Sequence, residues 1–233
     1  SESESVSESE SESESVSESE SESESESESE SESESESKNK FEDFDYDEAG
    51  LKFEEINGEM VLTYANDVKG NVVIPAEYNN KPVTKIADGV FKNKNNLISV
   101  VIPDSVYEIG TYAFGICKNL KSVTFGANVK VIGEYAFNQD GRLTNIVLPE
   151  SVETIGVQAF NKCEKLTEVT LGKNIKEIKG RAFDNCKKLA TYNYSGTKQN
   201  FIDIKKYSLW SGRNEKATNS KEYVVKCSDG ELS

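Results

Sequence analysis

A unit of 23 residues occurs four times without a gap between Ile98 and Leu189. The copies are ISVVIPDSVYEIGTYAFGICKNL, KSVTFGANVKVIGEYAFNQDGRL, TNIVLPESVETIGVQAFNKCEKL and TEVTLGKNIKEIKGRAFDNCKKL. A fixed period of this length predicts a solenoid, in which each repeat forms one turn and packs on its neighbours. When the copies are aligned, the same apolar residue recurs at three positions: Leu120, Leu143, Leu166, Leu189; Ile109, Ile132, Ile155, Ile178; Phe114, Phe137, Phe160, Phe183.

Each copy also contains a short segment in which apolar and polar residues alternate. In the second copy, Val123 and Phe125 alternate with Ser122 and Thr124. This period of two predicts a strand that directs Val123 and Phe125 into the core and the other two side chains outward. One turn alone could not offset the entropy of ordering its residues, so stacking of the turns is required.

The segments before the repeats are interpreted as an N-terminal cap and an irregular first turn. Asn57-Gly58 lies between two strand-like segments, LKFEEI and EMVLTY, which predicts a β-hairpin within a cap at 39–71. The solenoid is assigned to 72–189. Its first turn has five extra residues around Tyr78 to Pro82, which are expected to loop out.

The segment 190–233 breaks the repeat and is interpreted as a C-terminal cap. Thr197 can cap a short helix that extends to about Ile204. A last strand is predicted from Tyr223 to Cys227. The only Trp, Trp210, is expected to pack beneath this cap rather than to bind sugar.

Residues 1–38 form a low-complexity tail that is almost pure Ser-Glu dipeptide. Its first 37 residues hold 16 Glu and no basic residue. Neither face of such a segment is apolar, so burial cannot offset the entropy of ordering it, and we predict a disordered acidic spacer. A phosphoacceptor tract is the alternative, because most Ser residues have Glu three positions later. Beyond the tail, 27 basic residues nearly balance 26 acidic ones.

The composition limits the chemistry that the chain can perform. It has no His, which removes the usual general base and His-ligated metal sites. No nucleophile–base pair or acid pair is evident, so we predict that the protein is not an enzyme and has no cofactor. No run of 18 apolar residues occurs, and no basic patch argues for nucleic acid, so we predict neither membrane insertion nor nucleic-acid binding. The chain begins at Ser1 without Met or an apolar leader, so we expect a processed form or a fragment.

Two residue patterns could indicate metal sites. Asp43, Asp45, Asp47 and Glu54 match four positions of a calcium loop, but Glu48 occupies the position that requires Gly. We interpret this segment as the acidic end of a linker.

Three Cys residues, Cys117, Cys163 and Cys186, share one position of the repeat, where the second copy has Asp140. They lack the spacing of a metal site, and we predict buried, reduced thiols.

The motifs resemble the BspA-type leucine-rich repeats of bacterial surface proteins. The pattern IPxSVxxIGxxAFxxCxxL occurs at Ile102–Leu120 and, with Leu in place of the first Ile, at Leu148–Leu166. The segment Val72–Ile86 is similar to the opening of such arrays, and Tyr194–Phe201 to the closing YxGTxxxW signature, with Phe201 in place of Trp. The predicted fold is therefore a β-rich leucine-rich-repeat solenoid, a right-handed coil of about five 23-residue turns with an N-terminal hairpin cap and a C-terminal helix/strand cap.

What the resemblance implies is an extracellular or cell-surface bacterial protein of adhesive or interaction type. Solenoids tend to bind along their extended strand face. Packing of β-branched neighbours explains part of the uncharged character of that face as well. The candidate partner-binding residues on it, of which only Glu168 is charged, are Val101, Thr124, Val147, Thr170, Asn193, Ser122, Asn145 and Glu168.

Two functions follow from these observations. The favoured one is a non-catalytic binding module for a protein or glycan, monomeric, with the Ser-Glu tail as a flexible spacer. The alternative is a structural stalk or spacer segment of a larger surface protein.

Beside the strand face, the column Lys130, Glu153 and Lys176 alternates in charge and is expected to be a solvated row of ion pairs.

Deleting residues 1–38 should leave the melting temperature of the protein unchanged within error, because the tail has charge but no apolar face to bury. Differential scanning calorimetry of the full-length and shortened chains measures this. Protected amides in the tail in hydrogen exchange would contradict the prediction.

Overall fold

The structure is a computed structural model that describes residues 50–211 and 223–232. These residues belong to one compact unit. The predicted tail at 1–38 and the residues 43–47 of the calcium-loop pattern lie outside the described residues, whereas Glu54 lies in the first strand. The strands and the helix are, in order, β1 (Leu51–Ile56), β2 (Glu59–Ala65), β3 (Gly70–Val73), β4 (Glu77–Tyr78), β5 (Lys81–Ile86), β6 (Leu97–Val101), β7 (Glu108–Ile109), β8 (Ser122–Thr124), β9 (Val131–Ile132), β10 (Asn145–Val147), β11 (Thr154–Ile155), β12 (Glu168–Leu171), β13 (Glu177–Ile178), β14 (Thr191–Tyr194), α1 (Lys198–Asp203), β15 (Lys205–Lys206), β16 (Val224–Cys227) and β17 (Gly230–Leu232).

The 23-residue period is the period of one turn, which confirms the predicted solenoid. Parallel pairing joins Ser99 to Ser122 in β6 and β8, and Ile109 to Ile132 in β7 and β9. Each turn thus contributes one strand to each of two sheet systems. The first system consists of the sheets β3-β6-β8 and β10-β12-β14-β16-β17, and the second is β1-β2-β5-β7-β9-β11-β13-β15 with β4 on β5.

The core is built from columns of identical side chains. The rings of Phe91, Phe114, Phe137, Phe160 and Phe183 stack with centroids 4.9–5.2 Å apart and nearly parallel planes, and all five are fully buried. Burying such side chains contributes about 1.5–3 kcal/mol each to folding. Because Phe114, Phe137 and Phe160 each stack on the rings of both neighbouring turns, the apolar contribution belongs to pairs of turns and not to single repeats.

The turns approach each other closely at the Gly that follows Ile in the first three copies. A Cβ atom placed on Gly133 would lie 2.6 Å from the carbonyl carbon of Gly110 in the preceding turn. A methyl group cannot occupy that space without moving the backbone. The Ile-Gly dipeptides of the repeat therefore allow the backbones of successive turns to contact each other directly.

The N-terminal end agrees with the predicted hairpin and adds a second one. Asn57 and Gly58 both have positive φ, as a two-residue type I′ turn requires, and join β1 to β2. The five extra residues of the first turn do not simply loop out. Asn79 and Asn80, also with positive φ, join β4 to β5 in an antiparallel hairpin, and the Tyr78 ring stacks on Phe53 at 4.5 Å.

The solenoid has about six turns rather than the five predicted from sequence. Strand pairing continues past Leu189, because β14 pairs with β12 and β15 pairs with β13. The register joins Ile178 to Lys206, which is 28 residues later. This last turn does not follow the 23-residue period of the sequence, because five extra residues, which accommodate α1, interrupt it.

The helix, the buried Trp and the last strand that were predicted for the C-terminal end are present among the described residues. Thr197 caps α1, since its Oγ1 accepts a hydrogen bond from the Asn200 N–H at 3.2 Å. Phe201 is buried, and Trp210 is buried against it with ring centroids 5.9 Å apart. The last predicted strand is β16, and β17, which sequence did not indicate, pairs antiparallel with it.

The three aligned thiols are buried, as predicted, and free. Each Sγ lies in hydrogen-bonding distance of a carbonyl oxygen one turn earlier: Cys117 to Phe91 at 3.0 Å, Cys163 to Phe137 at 3.2 Å and Cys186 to Phe160 at 3.1 Å. Burial raises the pKa of the Cys163 thiol well above its usual range. The thiolate that disulfide formation needs is therefore scarce.

Cys163 and Cys186 should remain reduced in the purified protein. Neighbouring turns are about 4.8 Å apart, so the pair is close enough for a bridge, but two stacked side chains that point the same way rarely reach the required dihedral angle. Mass spectrometry of the non-reduced, alkylated protein tests this. A Cys163–Cys186 cross-linked peptide would refute the prediction.

Candidate functional site

The candidate site is the strand face, which we define as the outward side chains of β3, β6, β8, β10, β12, β14 and β16. They form two rows across the turns. The register pairs of the parallel strands give one row as Asn71, Ser99, Ser122, then Asn145, Glu168, Thr191, Val224, and the other as Val73, Val101, Thr124, then Val147, Thr170, Asn193, Lys226.

All eight predicted partner-binding residues lie on this face. Their inward neighbours Val100, Ile146 and Val169 are buried in the core. The predicted residues themselves divide by exposure: Ser122, Thr124, Asn145, Val147, Glu168 and Val101 are exposed, and Thr170 and Asn193 are half-buried. Whether they contact a partner stays a prediction.

The face extends beyond the predicted residues at both ends. Val73 is 63% exposed, more than any other large apolar side chain of the described residues, and it pairs in register with Val101. A sequence signal for it existed, because Val73-Ile74-Pro75 repeats the motif Val101-Ile102-Pro103. Because this spacing is 28 residues rather than 23, the alignment of the regular copies does not include Val73. At the other end, Lys226 pairs in register with Asn193.

The hydrogen-bond ladder of the face is interrupted between β8 and β10. These two strands belong to successive turns of the solenoid but to different sheets. The interruption coincides with a bulkier side chain in the second copy, where Phe125 occupies the inward position of Ile102 and Leu148. Its ring remains half-exposed and meets Phe137 edge-on at 5.6 Å, and Val123 is also only half-buried. Thr124 and Val147 flank this interruption.

Polar side chains at the two ends of the face are joined to each other. The Ser99 hydroxyl donates to Asn71 Oδ1 at 2.7 Å, and the Asn193 amide donates to the Glu168 carboxylate. The Glu168 carboxylate thus has a local hydrogen-bond donor, which is itself uncharged. The middle of the face presents hydroxyl, amide and valine side chains.

A buried polar cluster lies in the turn that leads into β10. Asp140 is fully buried, and its Oδ1 accepts a hydrogen bond from the Cys117 N–H at 2.7 Å, while Oδ2 has no hydrogen-bond partner among the described residues. Burial raises the pKa of the Asp140 carboxyl well above its ordinary value. Beside it, the buried Asn161 amide donates to Asn138 Oδ1 at 3.0 Å.

A surface groove of about 650 Å³ lies between the N-terminal hairpin and the solenoid. Three polar groups that line it pair with each other, since Lys85 Nζ lies 3.0 Å from the Glu59 carboxylate and 3.6 Å from that of Glu108. The neighbouring Tyr107 Oη donates to Glu59 at 2.7 Å. The hydrogen bond from Tyr107, with Lys85, lowers the pKa of Glu59. This network connects the cap to the first turns and is best explained as structural.

The charge-alternating column on the other flank behaves as expected for exposed groups. Lys176 pairs with Glu153 at 2.6 Å, and this hydrogen bond lowers the pKa of Glu153. No cluster of three or more metal-ligating side chains occurs among residues 50–211 and 223–232. No helix within those residues has the length and the apolar character that crossing a bilayer requires.

Comparison with known proteins identifies the repeat. The model of the BspA type leucine-rich repeat region matches residues 84–213 in six copies. Curated proteins contain no match to the chain.

Among solved structures, the chain is similar to a leucine-rich cell surface protein from Faecalibacterium prausnitzii, with 29% identity over 66% of this chain and a TM-score of 0.60. It is also similar to the leucine-rich repeat protein of T. pallidum, with 25% identity over 61% of this chain and 78% of that one and a TM-score of 0.50. A leucine-rich repeat protein from Eubacterium ventriosum shares the fold, with 23% identity over 79% of this chain and 55% of that one and a TM-score of 0.53. The chain spans 40% of the length of the F. prausnitzii protein.

Replacing Asp140 with Asn should stabilise the protein by an amount that grows with pH. A raised folded-state pKa contributes stability that is complete below about pH 4, the ordinary pKa of Asp, and is lost as the pH rises toward the folded pKa. Asn cannot ionise, so the difference in unfolding free energy should grow by up to about 1.4 kcal/mol per pH unit in that window. Urea denaturation of both proteins from pH 5 to pH 8 measures it.

Asp140→Cys, which restores the residue of the other turns, serves as the matched control and should also lose the pH dependence. Parallel stability curves for the parent and the Asp140→Asn variant would show that Asp140 is not protonated in the folded state.

Proposed function

Because the chain belongs to the BspA-type leucine-rich repeat family, we propose that it is a non-catalytic binding module whose strand face contacts a protein or glycan at the cell surface. The observation that supports this most is the composition of the face. Charged side chains make up 30% of the chain. On the face they are confined to Glu168 and Lys226, near one end.

A nearly uncharged face favours binding for a physical reason. A charge that enters an interface must be desolvated, at a cost of several kcal/mol unless it is paired. Hydroxyl and amide groups can exchange hydrogen bonds with water for hydrogen bonds with a ligand at much lower cost. The exposed Val73, Val101 and Val147 add apolar contact area to this surface.

An adhesive role outside the cell is the finer proposal, which the family and the cell-surface neighbour support. A non-catalytic role agrees with the lack of His in the sequence and with the acidic groups of Glu59 and Glu153, which are tied into ion pairs. The alternative, a structural stalk, draws support from the stacked and tightly hydrogen-bonded turns.

Replacing Thr124 and Val147 together with Glu should leave folding nearly intact and reduce binding at least tenfold. Both side chains are exposed at the centre of the face, and the added carboxylates would have to be desolvated in a complex. The partner is first identified by probing the full chain against matrix proteins and a glycan array. The affinities of parent and variant are then compared by surface plasmon resonance, with circular dichroism to verify folding.

Lys130→Glu, in the charge-alternating column outside the strand face, is the control and should change binding little at physiological salt. The proposal fails if the Thr124/Val147 variant folds and binds like the parent. It fails equally if Lys130→Glu alone abolishes binding, because the interface would then lie outside the strand face. A full chain that binds no component in either screen would favour the stalk.

A further inference from the structure

A row of exposed cations borders the strand face at the point where the chain enters its strands. We call Lys121, Arg142, Lys165 and Lys188 the basic border. Arg142, Lys165 and Lys188 occupy one position of the repeat in three successive turns, and Lys121 lies one turn earlier, directly before β8. All four side chains are exposed.

The acids near this border are occupied by other groups. Glu164 pairs with Lys187 at 2.6 Å, and Glu168 accepts a hydrogen bond from Asn193. Among the described residues, no ion pair involves a member of the basic border. The border therefore presents uncompensated positive charge.

The opposite border of the face differs. There Asp104 accepts a hydrogen bond from the Ala127 N–H at 2.6 Å, and Glu150 accepts one from the Lys173 N–H at 3.0 Å. These carboxylates connect one turn to the next through the backbone. The cations of the basic border are thus free of ion pairs with the described residues, whereas backbone N–H groups engage the carboxylates on the opposite border.

The spacing of the free cations follows the turns. Paired strands lie about 4.8 Å apart, so the like charges of Arg142, Lys165 and Lys188 recur at about that interval and repel one another. Such an arrangement does not stabilise the solenoid, because equal charges on neighbouring strands are unfavourable. It matches a linear ligand that carries negative charge at regular intervals.

We propose that the strand face and the basic border together bind a linear anionic polysaccharide that lies along the stack of turns. The proposal rests on the binding function proposed for the strand face and names the class of its ligand. Carboxylate or sulfate groups of the polymer contact the basic border. Its hydroxyl groups contact the adjacent row of Ser99, Ser122 and Asn145.

The chemistry of the face distinguishes this ligand from other polyanions. Single-stranded nucleic acids are held by aromatic side chains on which bases stack, and the outward residues of the face include none. Protein interfaces depend on anchors that fill pockets near their centre, whereas Thr124 and Val147 form a flat surface of small side chains. A polymer of hydroxyl-bearing units with regular charge requires neither feature.

The net charge beyond the acidic tail does not oppose such binding. The residues beyond it are nearly neutral, with 27 basic and 26 acidic groups. At physiological ionic strength, charges farther apart than about 8 Å are largely screened. The local charge of the border therefore determines the interaction.

The test titrates the full chain with polygalacturonate by isothermal calorimetry at low and physiological salt. Fully methyl-esterified polygalacturonate is the matched neutral polymer, and poly-L-glutamate represents an acidic polypeptide. The proposal expects saturable binding to polygalacturonate that weakens with salt, and at least tenfold weaker binding to both controls. Equal binding to the neutral polymer, or tighter binding to poly-L-glutamate, overturns it.

Variants then locate the interaction. Arg142→Glu/Lys165→Glu should weaken binding to polygalacturonate at least tenfold. Lys130→Glu/Lys176→Glu changes the net charge equally on the other flank and should weaken it less than threefold. Melting curves verify that both variants fold. An equal loss in both, or no loss in the first, refutes the proposal.

Failure of this proposal is distinguishable from failure of the proposed function. If the strand face binds some other ligand, the Thr124/Val147 double Glu variant still loses its partner while the Arg142/Lys165 variant retains it. That outcome refutes the anionic polysaccharide alone. If neither variant affects binding to any partner, both proposals fail.

Discussion

Hydrogen bonds between backbone groups one turn apart hold the structure together. The Phe114 N–H donates to the Ala136 carbonyl at 2.8 Å, and Phe137 repeats this contact with Ala159 at 2.7 Å. Such bonds occur in the tight turns as well as in the strands, so each turn satisfies the polar groups of the next. The phenylalanine column can stack only because these bonds keep every turn in the same register.

This dependence on neighbours explains the two ends of the solenoid. A terminal turn would expose its apolar side chains and an unpaired strand edge. The hairpin β1–β2 covers one end. At the other, Trp210 packs on Tyr192 and its carbonyl accepts the hydrogen bond of Phe183. Both ends use five additional residues, which form the β4–β5 hairpin in one case and accommodate α1 in the other.

The same stacking leaves the outward side chains free to vary. Substitutions on the strand face do not disturb the core, whereas inward substitutions do. Phe125 is the example, because a ring in place of Ile or Leu coincides with the interruption between β8 and β10. Asp140, in place of a thiol, introduces a buried carboxyl into the same copy. The second copy is thus the least regular turn, and it lies beneath the centre of the candidate binding face.

The period, the inward residues, the Asn57-Gly58 hairpin turn and the Thr197 cap follow from the sequence, because local patterns specify the direction of side chains and the conformation of short turns. The eight candidate face residues were predictable for the same reason. Tertiary structure alone decided that the period continues through the second insertion, in the turn formed by β14 and β15. It also decided which charges are free, because Glu164 and Glu168 could each have paired with Lys165 until packing brought Lys187 and Asn193 closer. Sequence spacing specifies which residues share a column, but the pairing of flexible side chains depends on distances that only the folded turns establish.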